Sequence, residues 1–281
     1  MSKFLRHIRY VLLGNVSTLG AAIGFVLLVA LALFGPHLVP YDPLATSVMN
    51  ALQPPSAAHL FGTDQLGRDV FSRTIVATRL DLYIAFSAVV LSSVLGSIVG
   101  AIIGFWGGPA DTVISRLVDV LMAFPLFVLA MALVAAMGNT LNNVILATAI
   151  INLPFYIRIV KAEVAQRRGA PYIAAARMGG SSNGELLFTF LIPNVLPILA
   201  VQTSLNLGWA ILNGAGLSFI GLGVRPPTPE WGLMVAEGAT YVVNGNWWLA
   251  LFPAIMLVGT VFCFNLLGDG LRDILDPRRR T

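Results

Sequence analysis

Between Glu185 and Arg225 the chain carries no charged residue for 39 positions. A continuous helix of that length would reach about 58 Å, far beyond a hydrocarbon core of roughly 30 Å. The interval also holds Pro193, Pro197, Gly208, Gly214, Gly216, Gly221 and Gly223, any of which can interrupt a helix. It is therefore either one membrane span with broken structure beside it or two short spans. A water-soluble fold is excluded, because a chain that is 57% hydrophobic and 11% charged cannot cover its own surface with polar groups.

Charge placement chooses between one span and two. Lys3, Arg6 and Arg9 precede a stretch without charge that lasts until Asp42. That stretch exceeds the apolar core of a signal peptide and ends in Phe34-Gly35-Pro36-His37 rather than in a small-residue cleavage site. A retained first helix over residues 18–39 is expected, followed by spans over 82–105, 113–137 and 144–160, one in the long interval, and a last one after Trp247 and Trp248. The two tryptophans read as interface aromatics. With six spans, Lys3, Arg6, Arg9, Arg116, Arg158, Lys161, Arg167, Arg168, Arg177, Arg272, Arg278, Arg279 and Arg280 all face the cytoplasm, 13 of the 17 basic residues. A seventh span would turn the C-terminal arginines outward, against the positive-inside rule. The expectation is an all-α polytopic protein of six transmembrane helices with both termini cytoplasmic. Its segments are a cytoplasmic 1–17, a first helix and outer loop at 18–79, a five-helix core at 80–270 and a cytoplasmic tail at 271–281. Gly96, Gly100 and Gly104 form a small-xxx-small row for close helix packing. Asp119 is expected to pair with Arg116 at the inner interface.

The positive net charge of +4 does not point to nucleic acid, since the basic residues sit at the ends of apolar runs rather than in a patch. The single cysteine, Cys263, excludes an intramolecular disulfide, and His7, His37 and His59 lack the spacing of metal ligands. No metal or other cofactor is expected on this chain.

The inner loop at residues 163–193 holds the first motif. Pro171 to Met178 reads as a short helix, with proline in its first turn and Gly179-Gly180 just past its end. Arg168 lies just before it. Tyr172, Ala175, Ala176 and Gly179 fall at i, i+3, i+4 and i+7, a face of one aromatic and small residues that admits a second backbone, with Arg177 supplying charge. Ala174-Ala175-Ala176, Gly180 and Phe190-Leu191-Ile192-Pro193 resemble, at both spacings, the E-A-A, G, I-x-L-P loop of inner-membrane permeases of bacterial ABC importers. Ala174 stands where that family has Glu, Phe190 where it has Ile, and Ile192 where it has Leu. The missing carboxylate removes one group able to pair at a partner surface.

Two further stretches carry the resemblance. The outer loop reads Phe61-Gly62-Thr63-Asp64-Gln65-Leu66-Gly67-Arg68-Asp69-Val70-Phe71-Ser72-Arg73. It is similar to the signature of the peptide and nickel importer subfamily on its C-type permease subunit. Asp64 and Asp69 can pair there with Arg68, Arg73 or Arg79, while Gly62 and Gly67 supply turns. A self-paired structural loop is expected rather than a pair of catalytic carboxylates. The segment from Phe264 to Arg278 resembles the C-terminal end of the same subfamily.

The resemblance implies a type I importer permease fold with a cytoplasmic coupling helix between helices 4 and 5, in a bacterial inner membrane. It implies a second permease, one or two ATPase subunits and an extracytoplasmic binding protein as partners, with membrane lipid around them. This chain would form half of the path for di- or oligopeptides, or for a nickel chelate. The chain has no G-x-x-x-x-G-K-[ST] loop, so ATP and Mg would belong to the ATPase partners and the chain itself would be no enzyme. The resemblance places ATPase docking on Arg168, Pro171, Tyr172, Ala174, Ala175, Ala176, Arg177, Gly179, Gly180 and Pro193. Two other classes compete. An ion-coupled secondary carrier would want ionisable groups at mid-membrane, where the clear polar side chains are Asn206, Asn213 and Asn265. An intramembrane hydrolase would have to use Gly216-Leu217-Ser218 without a membrane histidine.

Overall fold

The computed structural model of the protein describes residues 15–275. The expectations for Lys3, Arg6 and Arg9, and for Asp276-Pro277-Arg278 onward, lie outside the described residues. The first helix, α1, runs Val16–Leu38, and the Asn15 side chain accepts hydrogen bonds from the Ser17 and Thr18 N–H groups at 3.1 and 3.4 Å. An extended outer segment with one 3₁₀ turn, Val48–Asn50, leads to α2, Val70–Trp106. A bent pair follows, α3 at Gly108–Ala123 and α4 at Leu126–Met137, and then α5 at Leu141–Arg167. The short α6 is Pro171–Met178. One helical turn at Asn183–Glu185 opens into π-helical Leu186–Leu191 and then α7, Ile192–Phe219. α8, Trp231–Val242, packs against α7 and against α9, Trp248–Leu275, which ends the described chain.

Five elements are long and apolar enough to cross a membrane: α1, α2, α5, the run from Asn183 to Phe219, and α9. The α3–α4 pair, taken as one span, makes the sixth. The long uncharged interval thus holds one span, as the charge argument requires.

α2 and α5 form the centre of the bundle. Where residue 96 has a glycine, a Cβ would lie 2.6 Å from the Tyr156 Cβ; at 100 it would lie 2.6 Å from the Ile157 carbonyl oxygen, and at 104 2.7 Å from that of Lys161. Three successive turns therefore need glycine for the helices to touch backbone to backbone, which in a membrane replaces the missing hydrophobic drive between helices. The contacts advance together along both helices, so the two run parallel. In that register Leu141, the outer end of α5, is level with about residue 83 of α2. The first dozen residues of α2 then project roughly 20 Å beyond it. The expected start at residue 82 is corrected to Val70.

The third span is corrected as well. It is not one helix over 113–137 but two, bent by 96°. Pro125 has no N–H to continue the ladder and drives Phe124 to an extended conformation, φ −86° and ψ 147°. Asp119 pairs mainly with Arg158 of α5 at 2.6 Å, and more loosely with Arg116 at 4.0 Å. Lys161 bonds Ser115 Oγ at 2.8 Å and pairs with Asp111. The bent arm is thus moored to the inner half of α5 by charge.

Candidate functional site

One end of the bundle is organised by α6, whose bounds follow from local chemistry. Pro171 starts it, since its fixed φ suits the first helical position. A Schellman turn ends it: Ser181 N–H donates to Ala176 O at 3.1 Å and Gly180 N–H to Arg177 O at 3.1 Å. Gly180 sits at φ +91°, a value that suits glycine and strains any residue with a Cβ. This gives the motif glycine its physical role, the stop of the helix.

The structure divides the expected docking residues between two faces. Ile173 is buried and, with Ala176, packs into a core with Phe105, Val164, Leu186, Leu187 and Leu191. Ala176 is therefore an inward residue. Tyr172, Ala174, Ala175, Arg177 and Met178 are exposed, Met178 at 85%. Gly179 and Gly180 are exposed at the exit. Arg168 points elsewhere, its Nη1 donating to the carbonyls of Phe105 at 3.0 Å and Gly104 at 3.4 Å. Pro193, at the head of α7, follows the π-helical turn. Its missing N–H leaves an i−4 carbonyl unpaired, and the preceding register is already i−5, with Ile192 N–H donating to Leu187 O. The apolar lever from α6 into α7 thus runs through Ile173.

At the opposite end of the bundle the motif expected in the outer loop folds as a buried ion network. Asp64 Oδ1 accepts from the Leu66 and Arg68 N–H groups at 2.9 and 3.0 Å, and its Oδ2 receives Arg68 Nε at 2.6 Å and lies 3.6 Å from Arg73 Nε. Glu237 of α8 approaches Arg68 Nη2 at 3.5 Å and Arg73 Nη2 at 3.9 Å. Arg73 Nη1 donates to the carbonyls of Pro43 and Pro227, both at 3.2 Å. Two arginines and two carboxylates balance in charge, so the cluster can be buried. Asp69 does not pair with an arginine. It caps α2 through Ser72, N–H and Oγ both at 2.7 Å, and contacts His59 Nδ1 at 2.8 Å. Thr63 bridges to Asp69. At Gly67, φ +72°, a Cβ would stand 1.9 Å from the Ser47 carbonyl oxygen, so only glycine fits. Gly62 lies against Trp248 in the same way, and Trp248 Nε1 donates to Thr63 O at 3.2 Å. Trp248 is thus a buried part of this cap, not an interface aromatic; Trp247 beside it is exposed.

The network also fixes crossing parity. Arg73 and Glu237 meet on one side of the protein, and α2, the bent pair, α5 and α7 lie between them in sequence. An even number of crossings is required, so the bent pair crosses once.

Sequence reasoning missed α8 and the acidic groups that anchor it. Glu230 caps α8, accepting from the Gly232 and Leu233 N–H groups at 2.9 and 2.6 Å. It is hydrogen-bonded to Asp81 of α2, whose Oδ2 also receives the Trp231 N–H at 3.2 Å. Trp231 Nε1 donates to Thr74 O at 2.9 Å. Pro229-Glu230-Trp231-Gly232 was a readable cap signal, but its partner lies about 150 residues away. Burial pushes the Glu230 carboxyl above the usual carboxylate range. A folded-state value raised above the unfolded one stabilises the fold at low pH, and that contribution is lost as pH rises through the raised value. Protection of Trp231–Val242 from hydrogen exchange is therefore expected to fall as pH rises above the ordinary carboxylate range. Glu230→Gln, which does not titrate, should flatten that dependence; an equal pH response in the variant would assign it to other groups.

Of the polar groups that favoured rival classes, Asn206, Asn213 and Ser218 each make local hydrogen bonds, although Asn206 Nδ2 is buried without a partner. Asn206 Oδ1 accepts from Gln202 Nε2 at 2.9 Å, and Asn213 Nδ2 donates to Trp209 O at 2.9 Å. Ser218 Oγ accepts the Val224 N–H at 3.2 Å and bonds Glu230, as part of the cap's hydrogen bonding.

Residues 74–281 match the family described as binding-protein-dependent transport system inner membrane component. Residues 3–55 match the N-terminal TM domain of oligopeptide transport permease C. The chain is 42% identical to the probable D,D-dipeptide transport system permease protein DdpC of Escherichia coli, over 96% of this chain and 90% of that one. It is 42% identical to the di/tripeptide transport system permease protein DppC of Pseudomonas aeruginosa, over 95% and 90%. It is 39% identical to the glutathione transport system permease protein GsiD of Pectobacterium atrosepticum, over 93% and 87%.

Proposed function

The chain belongs to the family of inner membrane components of binding-protein-dependent transport systems, and from that premise we propose that it forms half of the membrane path of an importer for short peptides. Di- and tripeptides and glutathione, the cargoes in the relatives' names, are all short peptides. The second half of the path is a homologous permease, and ATP is bound and hydrolysed by separate ATPase subunits. Both termini and the loop at 163–193 face the cytoplasm. The cap built from the outer loop and α8 faces the opposite side, where a substrate-binding protein delivers the peptide.

The observation that carries this reading is the split character of α6. Ile173 and Ala176 root it in the inner core, while Tyr172, Ala175 and Met178 stand exposed along its other side. A free helix would have no reason to hold an aromatic, a small residue and a methionine outward on a rigid base. An ATPase cleft that grips this face can push the core beneath it. In that role α6 is the coupling helix, and closure of the ATPase pair rocks α2, α5 and α7 through their shared core.

The test is reconstitution. The purified chain alone is expected to hydrolyse no ATP. The complex with ATPase subunits, second permease and binding protein should hydrolyse ATP faster when peptide is supplied, and should take peptide up into vesicles. ATP turnover by the pure chain, or peptide uptake without ATPase subunits, would refute the proposal.

A further inference from the structure

Arg168 is exposed beside α6, and its guanidinium makes backbone contacts that docking does not require. It closes α5, its own N–H donating to Val164 O at 2.9 Å. Its side chain then reaches sideways to the end of the neighbouring helix, where Nη1 donates to Phe105 O at 3.0 Å and to Gly104 O at 3.4 Å. Those carbonyls belong to the last turn of α2, which has no further turn to satisfy them and carries the negative end of the helix dipole. A guanidinium there is attracted both by hydrogen bonding and by charge. Glycine at 104 brings α5 against α2 one turn earlier, and Gly107, at φ +66°, ends α2 immediately below the guanidinium, with Nη1 3.6 Å from where its Cβ would be. The inner ends of two parallel helices are thus tied by one side chain. The next residue, Gly169, has open space where a side chain would stand, and α6 begins two residues later.

We propose that Arg168 is a positioning residue of the transport cycle, a strut that makes the inner end of α2 move with the base of α6. This rests on α6 being the coupling helix. Ile173 delivers thrust from α6 to α7 and to Phe105 of α2 through apolar packing, and Arg168 adds a directional tie to the last turn of α2 through two backbone carbonyls. Without the strut, α6 still binds the ATPase pair and still allows it to close, but the end of α2 is held by apolar contacts alone and lags behind α6.

The signature is a change in the ratio of uptake to hydrolysis. In the complete reconstituted transporter, Arg168→Ala should assemble and co-purify with the ATPase subunits like the parent. It should keep at least about half of peptide-stimulated ATP hydrolysis, yet lose uptake by tenfold or more. Arg168→Lys keeps a cation at the end of α2 and should restore a large part of uptake per ATP. Loss of ATPase co-purification in Arg168→Ala would make Arg168 a docking residue and overturn the proposal. A fall of hydrolysis and uptake in equal proportion with the complex intact, no effect of either variant, or no rescue by lysine would overturn it too. Failure of the coupling-helix reading is recognised separately, by Ala175→Trp leaving ATPase binding and uptake unchanged.

Discussion

Ala175→Trp is expected to leave the protein folded in the membrane, to detach its ATPase subunits and to abolish peptide uptake. Ala175 is exposed on the outward side of α6, so a large side chain there meets nothing within the chain. At a fitted interface it would hold two surfaces apart, and overpacking of that kind costs about 1–3 kcal/mol, roughly five- to more than a hundredfold in affinity. Ala176→Trp supplies the contrast. That residue packs against the core formed by Ile173, Leu186, Leu187 and Leu191, so enlarging it should lower the amount of folded protein rather than act on docking alone. Ala174→Glu, which restores the family's acidic residue at an exposed position, should be tolerated. Co-purification of the ATPase subunits with each variant, beside uptake in cells, makes the measurement. Normal binding and uptake in Ala175→Trp would remove α6 as the coupling element.

The second large effect belongs to the opposite face. Asp64→Ala is expected to destabilise the outer cap severely and to lower the amount of protein in the membrane. The substitution leaves Arg68 and Arg73, both almost wholly buried, with Glu237 as the carboxylate facing them. Breaking a buried pair by removing one partner typically costs about 3–5 kcal/mol, because the remaining charge stays desolvated. Arg73→Leu should be comparably harmful, since the Pro43 and Pro227 carbonyls then lose their donor. Asp69→Ala, which removes a helix cap, should cost about 1 kcal/mol or somewhat more. Protease added from the outer side of sealed vesicles should cut Asp64→Ala within the outer loop while sparing the parent. Equal resistance would mean that the network contributes little.

The spans were legible because bilayer thickness and charge placement act along the sequence, with no need for a partner. The bounds of α6 were legible for a related reason, since Pro171 and Gly180 act on their own backbone. Which side of α6 faces inward was not. That depends on Leu186, Leu187 and Leu191, whose packing no spacing within eight residues reveals. The extra turns of α2 were read as loop because Arg73, Arg79 and Asp81 look solvated. Two of them are buried instead, matched by Glu237 and Glu230 from a distant segment. His59 was dismissed for want of a metal-ligand partner, and its actual partner is the carboxylate of Asp69. Residues 113–137 were expected as one span, with Pro125 inside it, and the 96° change of direction there was not read.

The outer network also sets an order on synthesis. Pro43, Asp64, Arg68 and Arg73 are translated early, while the Pro227 carbonyl and Glu237 follow Arg73 and Arg68 by 154 and 169 residues. At ordinary elongation rates that interval is roughly ten to thirty seconds. During it the two arginines share a single carboxylate, Asp64, within the cluster. The cap can close only after α7 has been inserted and the α8 segment has emerged on the same side as the first loop. A chain whose bent third span fails to cross delivers Glu237 to the wrong side, and its arginines stay unmatched. The charge cluster can therefore form only in a chain whose intervening spans return Glu237 to the side that holds Arg68 and Arg73.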